Sequence, residues 1–436
     1  NHKVNMATLI VYANGQSQEP TEYSLAYNDN RYVISSTQWT STLRFRVNIL
    51  PLDYPLSPTI ASLVVYPSVG IYQGTPFENH AWFDVSRIMQ SLLSHDVKIP
   101  AADHQAFAAN GNSHAEYALS IQEEDIDPTT DRYVQVGVTI FKPKSVWNGV
   151  QSLTDWLDFD YTDFTINTAS TTKRFLTSAP STRYVNTDQS AWLHYIVTNK
   201  LAKKYEIKAY SEADAGGSLL ATGVVTSPFA TVTTDYDTHF WRIPVGPYDI
   251  TNIDASLMTG SIPTNVLNGA KSYVIRMLNT SLVQVSEAVT FNVDQQCSKY
   301  EPVRLHWLNK LGGIDSLNFN LKSIDKTDVK RESYHEQHHT FTGFTYDYTK
   351  ASRGQVDYDI KMTETLKVNT DYLTEAESIW MEDLFTSPVV YRELNNELIA
   401  MNITGKSIVK KTSLNDKLMQ YSFDLNYSLE NRRQRG

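Results

Sequence analysis

The stretch VRLHWLNKLGGIDSLNFNLKS, from Val303 to Ser323, decides how this chain is interpreted. It opens like a strand, reverses at Gly312 and Gly313, and continues with strict alternation. Adjacent glycines reach positive φ without steric penalty, so they permit a reversal that bulkier residues resist. After the reversal, the apolar positions are Leu317, Phe319 and Leu321, and the polar ones are Asn318, Asn320 and Lys322. This pattern predicts a strand with one apolar face and one solvated face.

Trp307, Leu308 and Leu311 precede the turn, and we expect them to pack over that apolar face. The simplest interpretation is a hairpin-like junction between domains rather than a ligand site. We predict two β domains before it and a domain of a different kind after it.

Length and composition indicate a multidomain globular protein. A chain of 436 residues exceeds one ordinary core and suggests two to four domains. The formal net charge of -10 disfavours a general nucleic-acid binder, because neutralising phosphates needs clustered lysine and arginine. One basic cluster, Arg432, Arg433 and Arg435, is typical of a solvated tail.

Cysteine usage and hydropathy suggest folding in a reducing cytoplasm. The single cysteine, Cys297, predicts that the fold does not depend on an intrachain disulfide, and we expect it to be a small buried hydrophobe. No apolar run approaches the roughly eighteen residues of a membrane span. The opening residues lack the apolar region of a signal peptide, so we expect neither a membrane segment nor a secretory leader.

Residues 1–145 are predicted to form a β domain with one helix. Period-two alternation predicts half-buried strands at Leu43, Phe45, Val47 and Ile49, at Tyr117, Leu119 and Ile121, and at Val134, Val136, Val138 and Ile140. The helix is expected to be capped by Asp84 and to bury Val85, Ile88, Met89, Leu92 and Leu93. The acidic run from Glu123 to Asp131 lacks the residue order of a known calcium loop, which favours a solvated hairpin tip.

Residues 146–190 are predicted to be a connector. Within it, Asp155 to Phe164 interleaves aspartates with aromatic residues. Paired carboxylates beside sugar-stacking aromatics would suit a glycosidase, whereas the same alternation describes an ordinary strand with a solvated edge, which we favour. The run from Thr177 to Ser190, rich in Ser, Thr and Asn around Pro180, predicts a domain boundary.

Residues 191–296 are predicted to form a β-sandwich-like domain. Strands are expected at Tyr205, Ile207 and Ala209, at Tyr273, Ile275 and Met277, and at Val289, Phe291 and Val293. Gly216 and Gly217 mark a loop between strands. Short strands separated by turn residues favour a sandwich.

Residues 297–436 are predicted to form an α+β assembly domain. Thr374 and Glu377 have capping-box spacing, and the helix they begin is expected to bury Ala376, Ile379, Trp380 and Leu384 and to stop at Ser387 and Pro388. A long strand is then predicted through Met419, Tyr421, Phe423, Leu425 and Tyr427. A strand near a terminus suits pairing with a neighbouring subunit's sheet edge.

The run HEQHH, His335 to His339, satisfies the H-E-x-x-H pattern of zinc peptidases. On a helix, His335 and His339 would bind zinc while Glu336 activates water. The surrounding residues favour a strand and provide no apolar helix face, so this interpretation is disfavoured. Phosphate-loop, dinucleotide and nucleophile-elbow motifs are missing, and we expect no catalytic residue, no cofactor and no metal. The 26 tyrosines and 8 tryptophans favour binding surfaces over chemistry.

Three runs resemble virion structural proteins of tailed phages that infect Bacteroidota, including crAss-like phages. They are FLTSAPSTRYVNTDQSAWLHYI, CSKYEPVRLHWLNKLGGIDSLNF and EAESIWMEDLFTSPVVYRELNNELIAMNITGKSIVKK. The resemblance implies a non-enzymatic tail or neck component, such as a ring of the tail barrel or a baseplate-like protein. It therefore implies a location in the virion after synthesis in the bacterial cytoplasm.

A ring subunit needs rigid β domains, sheet edges and aromatic patches that bond to copies of itself and to other tail proteins. An acidic lumen would let phage DNA pass without binding it. Residues expected to support the fold and the assembly are Trp307, Leu308, Gly312, Gly313, Trp380, Pro388, Tyr421 and Phe423. Two alternatives remain open: a receptor- or glycan-binding virion protein, and the zinc peptidase described above.

Overall fold

The chain is mainly β, with several sheets and a few helices, which confirms the predicted fold class. The computed structural model describes residues 8–9, 20, 22–35, 40–52, 58–72, 75–95, 107–109, 111–140, 143–157, 159–166, 170–197, 204–227, 240–294, 299–337, 339–347, 349–395, 397–405, 419–429 and 431–432. None of the helices in those ranges has the length and hydropathy needed to cross a membrane. Cys297, Arg433 and Arg435 lie outside the described residues.

Two sheets form the N-terminal domain. The first contains β1 (Thr8–Leu9), β3 (Arg31–Ser35), β6 (Ser68–Tyr72) and β7 (Thr75–Asp84). The second contains β2 (Tyr23–Leu25), β4 (Arg44–Pro51), β5 (Ala61–Val65), β9 (His114–Asp127), β10 (Arg132–Ile140) and β11 (Lys144–Trp147). The core includes Phe45, Val47 and Ile49 of β4, all fully buried, so the alternation predicted there is confirmed.

The helix of this domain, α1 (Ser86–Leu92), was predicted in the right place but its details differ. Its N-cap is Val85, and Asp84 ends β7, although the Asp84 carboxylate accepts a hydrogen bond from the Ser86 backbone N–H at 2.8 Å. Val85 and Met89 are buried as expected, whereas Leu92 is exposed. The apolar stripe is therefore narrower than the spacing suggested.

Two further expectations for this domain need correction. The acidic run is not wholly a solvated tip, because β9 continues to Asp127 and buries Glu123 and Glu124. Val134 and Val136 of β10 are exposed rather than half-buried. Strand β10 pairs with β9 and lies off the main strand order of the sheet.

The second domain has a large and a small sheet. The large sheet contains β12 (Thr182–Asn186), β14 (Lys204–Tyr210), β15 (Leu219–Thr226), β17 (Met258–Gly260), β18 (Ser272–Leu278) and β19 (Val289–Asp294). The small sheet contains β8 (Ala108–Ala109), β13 (Trp192–Ile196) and β16 (Phe240–Pro244). Short helices are α2 (Leu153–Leu157), α3 (Pro247–Thr251) and α4 (Pro263–Val266), and 3₁₀ turns cover Gly111–Ser113, Tyr161–Phe164 and Ala255–Leu257. The predicted strands are present, and Tyr205, Ile207, Tyr273 and Ile275 are fully buried in one core.

Residues 146–190 are folded into their neighbours rather than separate from them. Strand β12 lies inside the run predicted as a boundary, and it pairs in parallel with β19. The run from Asp155 to Phe164 is not a strand, since α2 and a 3₁₀ turn occupy it. Trp156, Phe159 and Tyr161 pack against a core that contains Trp147, so these aromatics serve packing in the subunit.

An eight-stranded sheet and one helix form the C-terminal domain. The sheet contains β20 (Val303–Leu308), β21 (Ile314–Phe319), β22 (Ile324–His335), β25 (Gln355–Asn369), β26 (Val390–Leu394), β27 (Glu397–Ile403), β28 (Ser422–Tyr427) and β29 (Asn431–Arg432). Strands β23 (Thr340–Thr342) and β24 (Thr345–Asp347) form a small hairpin. Helix α5 (Glu375–Thr386) packs over the sheet through Trp380, Met381 and Leu384.

The predicted capping box of α5 is confirmed. The Thr374 hydroxyl accepts from the Glu377 N–H, and the Glu377 carboxylate accepts from the Thr374 N–H at 2.8 Å. The helix ends before Ser387 as expected. Ala376 and Ile379, however, are exposed, and Met381 and Asp383 are buried in their place.

The alternation in the last long strand is confirmed, but its predicted use as an edge is wrong. Met419, Tyr421, Phe423 and Leu425 are all buried. Strand β28 lies inside the sheet, between β25 and β27, so its backbone groups already have partners on both sides. The strand at the end of this sheet is β22 instead.

Candidate functional site

The hairpin of β20 and β21 lies where the three domains meet, and its turn needs two glycines. Gly312 has φ +85, and a Cβ there would lie 2.2 Å from the backbone oxygen of Asn148. A Cβ at Gly313 would lie 2.5 Å from the backbone oxygen of Leu176. The backbone of two other segments comes so close that neither glycine position has room for a side chain.

Asn309 fixes the conformation of this turn. Its Oδ1 accepts hydrogen bonds from the backbone N–H groups of Leu311 and Gly313, at 2.9 and 3.0 Å. Its Nδ2 donates to the Leu176 backbone oxygen at 3.0 Å. The Trp147 indole N–H donates to the Leu311 backbone oxygen at 2.9 Å, which ties the N-terminal domain to the turn.

The two faces of the hairpin are both buried. Val303, Leu305, Trp307 and Phe319 point into the core of the C-terminal domain, as the alternation predicted. The other face was predicted to be solvated, but Asn318 is buried there, beside Arg304 and His306. Leu308 also lies on the opposite side from Trp307, in a small cluster with Trp192 and Ile314.

Arg304 bridges the second and third domains. Its guanidinium donates to the Ser190 backbone oxygen through Nε and Nη2, at 3.1 and 2.7 Å. The Glu393 carboxylate lies 3.3 Å from Nε, with both side chains about 5% exposed or less. Because two donors of the planar guanidinium converge on the one Ser190 oxygen, they fix the orientation of Arg304 as well as its distance.

A hydroxyl, an imidazole and a carboxylate form a chain on this face. His306 Nε2 lies 2.7 Å from the Glu393 carboxylate, and the Ser316 hydroxyl lies 2.7 Å from His306 Nδ1. Burial lowers the pKa of His306 despite the neighbouring carboxylate, so the ring is neutral at pH 7. Burial alone would raise the pKa of Glu393, but the hydrogen bond from His306 and the charge of Arg304 hold it below its ordinary value.

The same three groups occur in acyl-transfer enzymes, so their surroundings decide what they do here. His306 is fully buried and packs against Trp192, with ring centroids 5.5 Å apart. Ser316 is the direct cross-strand partner of His306. A substrate cannot reach the imidazole in this conformation. We interpret the hydrogen bonds among Ser316, His306 and Glu393 as a structural link between β20, β21 and β26.

Two buried aspartates complete the junction. Asp249 accepts hydrogen bonds from the Ser190 hydroxyl and the Ala191 N–H, both at 3.0 Å, and burial raises its pKa to about 8. Asp315 accepts from the Thr177 hydroxyl at 2.7 Å and from the Trp380 indole N–H at 2.9 Å. The bond between Thr177 and Asp315 links the C-terminal domain to the segment before β12, whereas the other bonds lie within the second or the third domain. The junction is therefore a polar network.

Asp383 lies beside this network at the end of helix α5. Its carboxylate accepts a hydrogen bond from the Ser178 hydroxyl. Burial raises the pKa of Asp383 to about 6, although this hydrogen bond opposes the shift. The helix is thereby bonded to the segment that precedes β12.

The remaining predicted residues lie within the core of the C-terminal domain. The rings of Trp307 and Trp380 are 5.0 Å apart, and Phe423 packs edge-on against Phe319 at 5.4 Å. The Tyr421 hydroxyl lies 2.7 Å from that of Ser378. Pro388 is exposed, directly after the helix. Apart from Pro388, these residues support the subunit from inside.

The zinc interpretation required a helix, and the structure has none at that position. His335 ends strand β22, while Glu336 and Gln337 follow outside it. His339 is bonded to Gln337 at 2.7 Å between their Nε2 atoms. Throughout the described ranges, no group of three or more His, Cys, Asp or Glu side chains is placed to hold a metal ion.

A shallow groove of about 420 Å³ lies on the sheet face at the N-terminal end of β22. Its lining residues are Ile324, Lys326, Asp328, Thr365, Lys367, Thr404, Asp424 and Asn426. It contains no aromatic side chain, so it does not have the Trp and Tyr expected of a glycan-stacking groove.

Comparison with protein-family models finds no match for this chain, and comparison with curated proteins finds none either.

Sequence reasoning located the turn but missed the buried network around it. Arg304, His306 and Glu393 are polar residues on strands, and alternation assigns such residues to solvent. One signal was present: the polar side chains of β20 and β21 alternate on one common face, which is also what a polar interface between domains requires.

Proposed function

We propose that this chain is a structural subunit of a bacteriophage tail or neck, which assembles in many copies as a ring within the tail barrel or DNA conduit. The observation that carries the proposal is the exposed arm formed by β22 and the facing part of β25. All twelve residues of β22 are exposed, and the strand is about 40 Å long at the usual rise per residue. The outer end of the arm, residues 331–335 with 355–360, has two strands among the described residues, since β25 also pairs with β29 and β28 further along. A two-stranded ribbon is marginally stable in water by itself, so such an arm suits contact with other subunits.

Two further features support a mechanical role. The buried polar junction links the three domains. Arg304 donates to the Ser190 oxygen, the Thr177 hydroxyl donates to Asp315, and the Trp147 indole N–H donates to the Leu311 oxygen. Such links suit a ring subunit, which has to transmit force between its contacts. The net charge of -10 suits a conduit, because an acidic wall does not bind passing phosphates. The sequence resemblance to phage virion proteins gives the assembly its proposed biological setting.

The proposal is tested by native mass measurement and electron microscopy of the purified full chain and of its source particle. We expect closed rings of many copies, and density for this chain in the tail or neck. A protein that stays monomeric at all concentrations and is missing from the particle would overturn the proposal. A basic inner wall with the acidic residues facing outward would contradict the conduit role while leaving the ring intact.

A further inference from the structure

We infer that strand β22 pairs antiparallel with β22 of a second copy of this chain, about a two-fold axis at Val329. In the described part of the chain, β22 ends the eight-stranded sheet and has β25 as its strand partner. Its other edge therefore presents backbone donors and acceptors to solvent. A free edge of this length is a template for adding a strand.

The side chains identify the occupant, because the strand is complementary to itself. With Val329 opposite Val329 of the second copy, Asp328 faces Lys330 and Lys326 faces Glu332, and the two-fold axis repeats each pair. Ile324 then faces Tyr334, and both are exposed in the single subunit. Opposite charges and apolar pairs directly across two strands stabilise the pairing.

In neighbouring registers the strand is not complementary to itself in this way. Centring on Lys330 places Lys330 opposite itself and Asp328 opposite Glu332, while centring on Asp328 places Lys326 opposite Lys330. Like charges directly opposite each other oppose pairing. Centring between Val329 and Lys330 avoids like charges but keeps just the pair of Asp328 with Arg331. Charges that normally protect an edge strand here select one register.

The present contacts of Lys326 and Glu332 within the subunit do not prevent pairing with a second copy. Lys326 pairs with Asp328 along the same strand at 2.8 Å, with both side chains more than half exposed. The Tyr358 hydroxyl donates to the Glu332 carboxylate at 2.6 Å, also at an exposed position. Exposed pairs contribute little to stability, so new partners across the axis replace them at small cost.

This contact goes beyond the proposed ring. A two-fold contact joins two subunits and does not close a ring by itself. In a ring, it would connect subunits of two rings placed face to face. Rings that form while β22 stays unpaired would refute the inference and leave the proposed function standing, and paired arms without rings would do the reverse.

Charge reversal tests the pairing in the full chain. Asp328→Lys and Lys330→Asp each place like charges opposite each other, and we expect each to weaken self-association through the arm about tenfold or more. A mixture of the two variants restores opposite charges at every one of these positions and should associate like the wild type. Lys350→Asp, which changes an exposed lysine in the turn before β25, is the matched control. Sedimentation velocity measures these four samples and the wild type. Unchanged association of the single variants, or no recovery in the mixture, overturns the inference.

Cysteine cross-linking tests the register. Val329→Cys places two cysteines directly opposite each other, with Cα atoms within disulfide range, so mild oxidation should give a covalent dimer. Thr327→Cys is the control, because two such residues would be about 13 Å apart along the strand. The wild type, whose one cysteine is Cys297, sets the background. No dimer from Val329→Cys, or an equal yield from Thr327→Cys, overturns the inference.

Discussion

Trp307 and Trp380 pack with ring centroids 5.0 Å apart, yet their indole nitrogens differ in bonding. Trp380 Nε1 donates to the buried carboxylate of Asp315 at 2.9 Å. Within the described residues, the buried Nε1 of Trp307 has no hydrogen-bond partner. The two tryptophans therefore contribute differently. Trp307 contributes packing, whereas Trp380 contributes packing and a hydrogen bond to the Asp315 carboxylate.

Replacing each tryptophan by phenylalanine separates these contributions. Trp380→Phe removes a donor from a buried carboxylate, which costs about 1–3 kcal/mol beyond the loss of packing. Trp307→Phe loses comparable ring area but no hydrogen bond among the described contacts, so it serves as the control. Urea unfolding measures both free energies of unfolding. Equal losses would show that the bond to Asp315 contributes nothing.

Gly312→Ala is expected to destabilise the junction more than Gly343→Ala destabilises the hairpin of β23 and β24. Both glycines have positive φ, which costs about 1–2 kcal/mol for a residue with a Cβ. At Gly312 the added Cβ would also meet the Asn148 oxygen at 2.2 Å, whereas at Gly343 nothing lies within 4 Å. Thermal and urea unfolding measure the loss of stability in each variant. Gly343→Ala shows the effect of backbone strain alone, and Gly312→Ala shows strain together with the steric clash. Matching losses would contradict the tight approach at Gly312.

Sequence patterns predicted what depends on neighbours along the chain. The strand through Phe45 and Val47, the capping box of Thr374 and Glu377, and the glycine turn all follow from local periodicity or local backbone geometry. Burial of a polar face and the position of a strand within its sheet depend on distant segments. Asn318 was therefore assigned to solvent, and the last long strand was assigned to an edge that belongs to β22.

Stability is expected to fall as the pH rises from about 6.5 to 8. Burial raises the pKa of Asp249 from 3.8 to about 8, although Ser190 and Ala191 donate to it. A carboxyl that holds its proton more tightly when folded contributes stability that is lost as the pH rises through its folded pKa. The loss amounts to about 1.4 kcal/mol per pH unit at most. Urea unfolding across this range measures the slope.

Asp249→Asn should flatten that slope, because the amide does not titrate. Burial lowers the pKa of His194 to about 3, lowers that of His306, and raises that of Asp383 to about 6. These three groups act mainly below pH 6.5, so the slope between about pH 7 and 8 is the part that tests Asp249. Asp371→Asn, at an exposed position, is the control and should keep the wild-type slope. A wild-type slope in Asp249→Asn would show that another group carries the dependence.

Arg304 and Glu393 should behave as one unit in a double-mutant cycle. Arg304→Met leaves the Glu393 carboxylate buried without its cation, and losses of about 3–5 kcal/mol are typical of such a change. Glu393→Met strands the guanidinium in the same way. The double variant removes both charges, so it should lose less than the two single losses added together, with a coupling of at least about 1 kcal/mol.

Arg331→Ala is the surface control. Arg331 pairs with Asp357 at 2.9 Å, but the arginine side chain is 59% exposed. Its removal should cost less than about 1 kcal/mol. Additive losses at Arg304 and Glu393 would mean that the ion pair contributes little, and that each loss comes from the other bonds of that side chain, from Arg304 to Ser190 and from His306 to Glu393.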